Sequence, residues 1–366
     1  MTRELQIRYR LLHRSMALAA ALAIGGCGTD TSHDPADVRT PAMSSAASDR
    51  AVTTTEAREK GSLLLRMVPP QATDAAIGGS WLEDHYVWLE GEHAKGKLSV
   101  FMVGESITNS QFQLLPQEAA RLGYHVIVLT YPNSWNIRTV CALSPDATCQ
   151  ENVRREIIDG IDRTTLITVT AADSIENRLT KLLRFLATWY PDEKWSRFLD
   201  DDSPGRDTPN WSHIAVGGFS FGGMQAAMIG KLRKVKRVVI FGATNDGVGG
   251  APGNWVAPGE TSPERYFGLL HWQDSMIDQG VANWKALGLL AFGDFVRVEN
   301  GTPPYGGTHA LDTDLLPRSG SYANAHGSVV RDLFTPLAAD GTPALRDAWR
   351  YMLGAQEEGD EGGQGE

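Results

Sequence analysis

Residues 213–230 read HIAVGGFSFGGMQAAMIG, and no other stretch of the 366-residue chain so narrows what it can fold into. Ile214, Ala215 and Val216 form an apolar run that suits a buried strand, and it leads straight into Gly217 and Gly218. A single serine, Ser220, follows between Phe219 and Phe221. Gly222 and Gly223 then open a run of small residues able to form a helix close to a sheet. A serine held at so sharp a strand-to-helix turn needs neighbours without bulk two positions away on either side, and Gly218 and Gly222 supply that. The helix start then offers free N–H groups and a positive dipole end to a developing oxyanion. A phosphate cradle does not fit the string, because no Lys-Ser or Lys-Thr follows the glycines. Nor is there a G-x-G-x-x-G with an acidic residue about twenty positions on.

The surrounding texture agrees with such a turn. From residue 62 onward, short apolar runs bounded by Gly and Pro alternate with helical patterns, the signature of βα units around a mostly parallel sheet. Eight strands are expected, at 63–68, 85–89, 98–103, 124–130, 214–219, 237–241, 267–271 and 295–299. A helix is expected over 174–190, with Asp173 as its cap, Ile175, Leu179, Leu182, Leu183 and Leu186 on its apolar face, and Pro191 as its stop. A last helix is expected over 343–353. The fold class is therefore α/β, an eight-stranded, mostly parallel sheet flanked by helices, in one domain over residues 62–353. Insertions at 132–172 and 243–265 are too long for simple connections, and loops of that kind at the carboxyl edge of a parallel sheet shape ligand sites.

Strand, G-x-S-x-G and helix in that order resemble the α/β-hydrolase fold, and strings such as PPYGGTH (303–309) and NAHGSVV (324–330) are similar to those of a bacterial branch of it. The resemblance implies that Ser220 is a nucleophile and that the N–H of Phe221 is one oxyanion donor. The second donor would come from the turn after the third strand, Gly104-Glu105-Ser106, through the N–H of Glu105 or Ser106. The Glu105 side chain is expected to turn away from the oxyanion. The fold carries its partners in the order serine, acid, histidine. Asp274, after the strand 267–271, is the favoured acid, with Asp246 the alternative. His309, glycine-flanked after the strand 295–299, is the favoured base, with His326 the alternative; His271 reads as a packing or hydrogen-bonding residue. Tyr131, Trp135 and Trp255 are candidates to line an apolar pocket. Such chemistry needs no cofactor, and the acidic run at residues 200–202 reads as a solvated loop rather than a metal site.

The two ends speak to location. Arg3, Arg8, Arg10 and Arg14 precede a short apolar run, which ends in Ile24-Gly25-Gly26-Cys27. That end resembles the lipobox of bacterial lipoproteins and implies a signal peptide over 1–26, with lipid attached to Cys27. Gly28 in place of Asp favours the periplasmic face of the outer membrane. Residues 27–61, rich in Ser, Thr, Ala and Asp, suit a flexible tether, and 354–366 an acidic disordered tail. In an oxidising compartment Cys141 and Cys149 read as a disulfide. A formal net charge of −10 without a basic stripe excludes nucleic acid as the partner. The expectation is an exported serine hydrolase of a carboxylic ester or related acyl bond, acting on a small or polymeric substrate with an apolar portion. Two alternatives remain, a non-catalytic envelope lipoprotein using the fold as a binding scaffold and an acyltransferase with the same nucleophile.

Overall fold

The computed structural model describes residues 53–55, 62–91, 94–200, 208–242, 244 and 246–355. The segment carrying Cys27, most of the tether, Asp201 and Asp202, and the tail from residue 356 lie outside the described residues. The main sheet is built from β1 (Thr53–Thr55), β2 (Leu63–Val68), β3 (His85–Glu90), β4 (Lys97–Met102), β5 (Tyr124–Leu129), β6 (Ile214–Phe219), β7 (Arg237–Phe241), β8 (Tyr266–His271), β9 (Val296–Arg297) and β10 (Ala310–Thr313). Its spatial order is β1-β2-β3-β5-β4-β6-β7-β8-β10-β9. The pairs β1–β2, β2–β3 and β3–β5 are antiparallel, and every pair from β5 to β9 is parallel. The expected eight strands are thus nine, joined at one edge by the three-residue β1.

The additional strand in the parallel half is β10. Its sequence, ALDT, offers only two apolar positions, and the third residue, Asp312, is fully buried yet charged, which hides the strand pattern. Arg297 of β9 answers that charge with an Nε–Oδ1 contact of 2.7 Å. The expected strand 295–299 shrinks to the two residues of β9, because Val298–Asn300 closes into a 3₁₀ turn.

Beyond a single turn at Pro70–Thr73, the helices among the described residues are α1 (Leu114–Arg121), α2 (Ile137–Val140), α3 (Cys149–Asp159), α4 (Ile175–Trp189), α5 (Phe221–Leu232), α6 (Ile277–Ala286), α7 (Ala325–Ser328) and α8 (Arg346–Met352). Ser174, not Asp173, caps α4: its hydroxyl accepts from the Asn177 N–H at 3.2 Å. Asp173 instead pairs with the buried Arg178 at 2.9 Å.

The sheet order places the site. Between β4 and β6 the chain reverses its direction of travel across the sheet, so the connections leaving these two neighbouring strands diverge and open a crevice at their carboxyl ends. Met102 pairs with Gly218 in that register, which sets the turn after β4 beside the turn after β6. All six residues of β6 are buried.

Candidate active site

Ser220 follows β6 with φ 54° and ψ −114°, outside the regions allowed for most side chains. Its N–H donates to the Phe241 carbonyl at 2.8 Å, and its own carbonyl accepts from Met224 as α5 begins. The glycines around it are sterically required. A Cβ at Gly222 would run into the carbonyl oxygens of Met102 and Val103, and one at Gly218 into the backbone of Gly222. The start of α5 is therefore seated directly on the end of β4, backbone against backbone.

Opposite it lies the turn Gly104-Glu105-Ser106. Ser106 has φ 53°, and its N–H donates to the Asn133 carbonyl at 2.9 Å. That bond takes it out of contention as an oxyanion donor and leaves Glu105 as the donor candidate of the turn. Asn133 fixes the turn further by donating from Nδ2 to the carbonyls of Gly104 at 2.8 Å and Ile107 at 3.1 Å. The Glu105 carboxylate accepts from Asn136 Nδ2 at 3.0 Å. Burial raises its pKa above the usual carboxylate value, against the lowering effect of that bond.

Asp274 and His326 come together at the same edge of the sheet as Ser220. Asp274 sits in the turn after β8 and is fully buried. Its Oδ1 accepts from the Met276 N–H at 2.9 Å, and its Oδ2 lies 2.6 Å from Nδ1 of His326. With Nδ1 engaged, Nε2 is the nitrogen left for a reacting group. The His326 ring packs on Phe219, the residue before the serine, with centroids 4.7 Å apart. Gly242 (φ 75°) leaves the room: a Cβ there would press on both Phe219 and the His326 ring.

His309 is in a different place altogether. It immediately precedes β10, and β10 runs parallel to β6, β7 and β8. His309 therefore lies at the amino-terminal edge of the sheet, whereas Ser220 lies at the carboxyl-terminal edge. Four strand residues at about 3.3 Å each separate the two edges by roughly 13 Å. There its ring is sandwiched between Phe267 and Phe292, each 4.0 Å away, and burial lowers its pKa. The glycines before it, Gly306 and Gly307, have φ 69° and 78° and turn the chain into β10 rather than framing a base.

Asp246 is likewise committed elsewhere. Arg154 of α3 grips it through Nε at 2.6 Å and Nη2 at 2.5 Å, and Trp255 Nε1 donates to it at 2.8 Å. Arg154 Nη1 also reaches the Phe221 carbonyl at 3.2 Å and Gln225 Oε1 at 3.1 Å. This buried arginine, behind the serine turn, was not singled out from sequence. The available signal was a charge within the apolar stripe formed by Val153, Ile157 and Ile158. His271 has a packing role: Nε2 bonds the Leu315 carbonyl at 2.9 Å and Nδ1 accepts from the Gln273 N–H.

The two insertions meet one another. Cys141 and Cys149 are disulfide-bonded across the gap from α2 to α3. Asn254 Nδ2 donates to the Ala147 carbonyl at 2.6 Å, and the Gly247 N–H to Gln150 Oε1 at 2.8 Å. Trp255 is buried against Asp246. Tyr131 is buried with its hydroxyl on the Val103 carbonyl, and Trp135 leans on Trp81 with centroids 5.0 Å apart.

No family model and no curated protein matches the chain. Among solved structures, a Klebsiella pneumoniae protein assigned as a dienelactone hydrolase aligns over 80% of this chain and 97% of its own, at 11% identity and a TM-score of 0.38. So low a TM-score decides neither fold nor activity, which rest on the strand order and the geometry above.

Proposed function

We propose that the protein is a serine hydrolase of α/β-hydrolase type that cleaves a carboxylic ester through an acyl-enzyme on Ser220. The observation that carries this reading is the 2.6 Å contact between buried Asp274 and His326, whose ring lies against the residue preceding a strained, glycine-flanked serine. The three residues follow one another in the chain as serine, acid and base, each on a turn or short helix beyond the carboxyl edge of the sheet.

In the proposed reaction Ser220 Oγ attacks the ester carbonyl while His326 Nε2 takes its proton. Asp274 holds the Nδ1–H tautomer and stabilises the imidazolium that forms. The tetrahedral oxyanion accepts hydrogen bonds from the N–H groups of Phe221 and Glu105, on turns set side by side by the seating of Gly222 on β4. Collapse expels the alcohol, protonated by His326. Water then attacks the acyl-enzyme by the same route and releases the acid. The Glu105 carboxylate, tied to Asn136, is kept from adding a negative charge beside the oxyanion.

Export and lipid anchoring at Cys27 complete the proposal, and the Cys141–Cys149 disulfide supports an oxidising compartment. The test is labelling with a fluorophosphonate probe: the wild type is expected to label and Ser220→Ala to remain unlabelled. An unlabelled wild type would overturn the reading.

A further inference from the structure

Beside the oxyanion turn lies a solvent-open cleft of about 240 Å³, lined in part by Val103, Ser106 and Ile107 of that turn. At about 30 Å³ per water, this is the space of roughly eight waters, enough for a group of monosaccharide size. We infer that the cleft is a subsite for a polyhydroxylated, sugar-like group, so that the favoured substrate is a carbohydrate ester. This inference rests on the serine hydrolase reading of Ser220.

The lining is of two kinds. One wall is the indole of Trp81, braced by Trp135. The other carries hydrogen-bonding groups. Asn109 is 1% exposed, and its Nδ2 donates to the carbonyls of Asp84 and Val128 and to the Thr130 hydroxyl, at 2.7 to 3.1 Å. Two of those partners can only accept, which fixes the orientation of the amide. Oδ1, the other end, is buried without a hydrogen-bond partner. That end has no exposed surface, so the Asn109 amide braces the wall and leaves contact with a ligand to its neighbours. Glu83 adds a carboxylate that accepts the N–H groups of Asn109 and Ser110 at 2.8 and 3.3 Å and keeps lone pairs to spare. Ser80, Thr108 and Ser134 contribute hydroxyls to the same lining.

A lining that combines an indole with a carboxylate and several hydroxyls suits a sugar ring, which presents C–H groups on one face and O–H groups around its rim. An alkyl chain would desolvate the Glu83 carboxylate and leave the hydroxyls of the lining without partners. A quaternary ammonium group would pair with the Glu83 carboxylate but has neither a donor nor an acceptor for the Ser80, Thr108 and Ser134 hydroxyls.

The experiment compares acetate esters that share one acyl group, namely a mono-O-acetylated methyl glucoside, ethyl acetate and acetylcholine, on the full chain. The sugar ester is expected to exceed the other two in kcat/KM by about tenfold or more. Trp81→Ala should raise KM for the sugar ester at least about tenfold more than it raises KM for ethyl acetate. Binding of methyl glucoside to Ser220→Ala, followed by calorimetry, is expected and is independent of turnover. A wild type that labels with fluorophosphonate but shows no sugar preference would overturn the subsite and leave the hydrolase standing. A preference for acetylcholine or for the alkyl ester would overturn it in favour of a cationic or apolar group. Glucoside binding by a protein that neither labels nor turns over would retain the subsite and remove the hydrolase.

Discussion

Replacing Arg154 by Met separates what the buried ion pair does for stability from what it does for the serine turn. The guanidinium is 1% exposed and the Asp246 carboxylate fully buried, joined by two contacts of 2.5 and 2.6 Å. Arg154→Met leaves that carboxylate in the interior with, among the described residues, only the Trp255 indole N–H donating to it. Removing one partner of a buried pair costs about 3–5 kcal/mol, whereas replacing both with apolar residues is often near neutral. At roughly 2–4 °C per kcal/mol for a domain of this size, Tm is expected to fall by about 6–20 °C in the single variant. Much of that loss should return in Arg154→Met/Asp246→Leu. Thermal unfolding followed by circular dichroism, on protein with its disulfide intact, reads both. Arg154 also holds the Phe221 carbonyl, so kcat measured well below Tm should stay depressed in the double variant even as stability recovers. A single variant within about 1 kcal/mol of wild type would refute the reasoning, as would a double variant that loses the sum of the two single effects.

Two further outcomes are expected. His326→Gln should lower kcat for a p-nitrophenyl ester by about a thousandfold or more, while His309→Phe, at the far edge of the sheet, should leave it near wild type; the reverse result would return the base to His309. Asp332, whose carboxylate accepts the N–H groups of Gln113 and Leu114 at the start of α1, is pushed up by burial to about 6. A carboxyl raised in the fold above its unfolded value of 3.8 contributes stability that is present at low pH and lost as pH climbs to about 6. The stability difference between wild type and Asp332→Asn, from urea unfolding at pH 4 and pH 7, should therefore shift against the wild type at the higher pH. A difference independent of pH would refute the assignment.

The central strands β6 and β7 were legible because burial on both faces fills them with apolar and small residues, and both fall on the residues expected for them. β10 was not legible. Four residues with a buried aspartate carry no period, and the partner that makes Asp312 tolerable, Arg297, sits on another strand. The assignment of the histidine turned on that one strand, since reading Thr308–Thr313 as a loop moves His309 to the wrong end of the sheet. The serine turn was legible because its requirement is local and steric. The division of labour between Glu105 and Ser106 was not, because it depends on Asn133, a residue 27 positions beyond Ser106 that claims the Ser106 N–H.

The seating of Gly222 on the end of β4 gives the site unequal mechanical halves. The spacing between the two proposed oxyanion donors is set by repulsion between backbones, a stop that cannot be compressed and that no single lost hydrogen bond relaxes. His326 is borne instead on α7, four residues long, and is kept in line by one carboxylate and the face of Phe219. Heat or mild denaturant will therefore reach the proton-transfer arm while the electrostatic frame is still intact. Inactivation should begin as a loss of base, before any loss of shape around the serine.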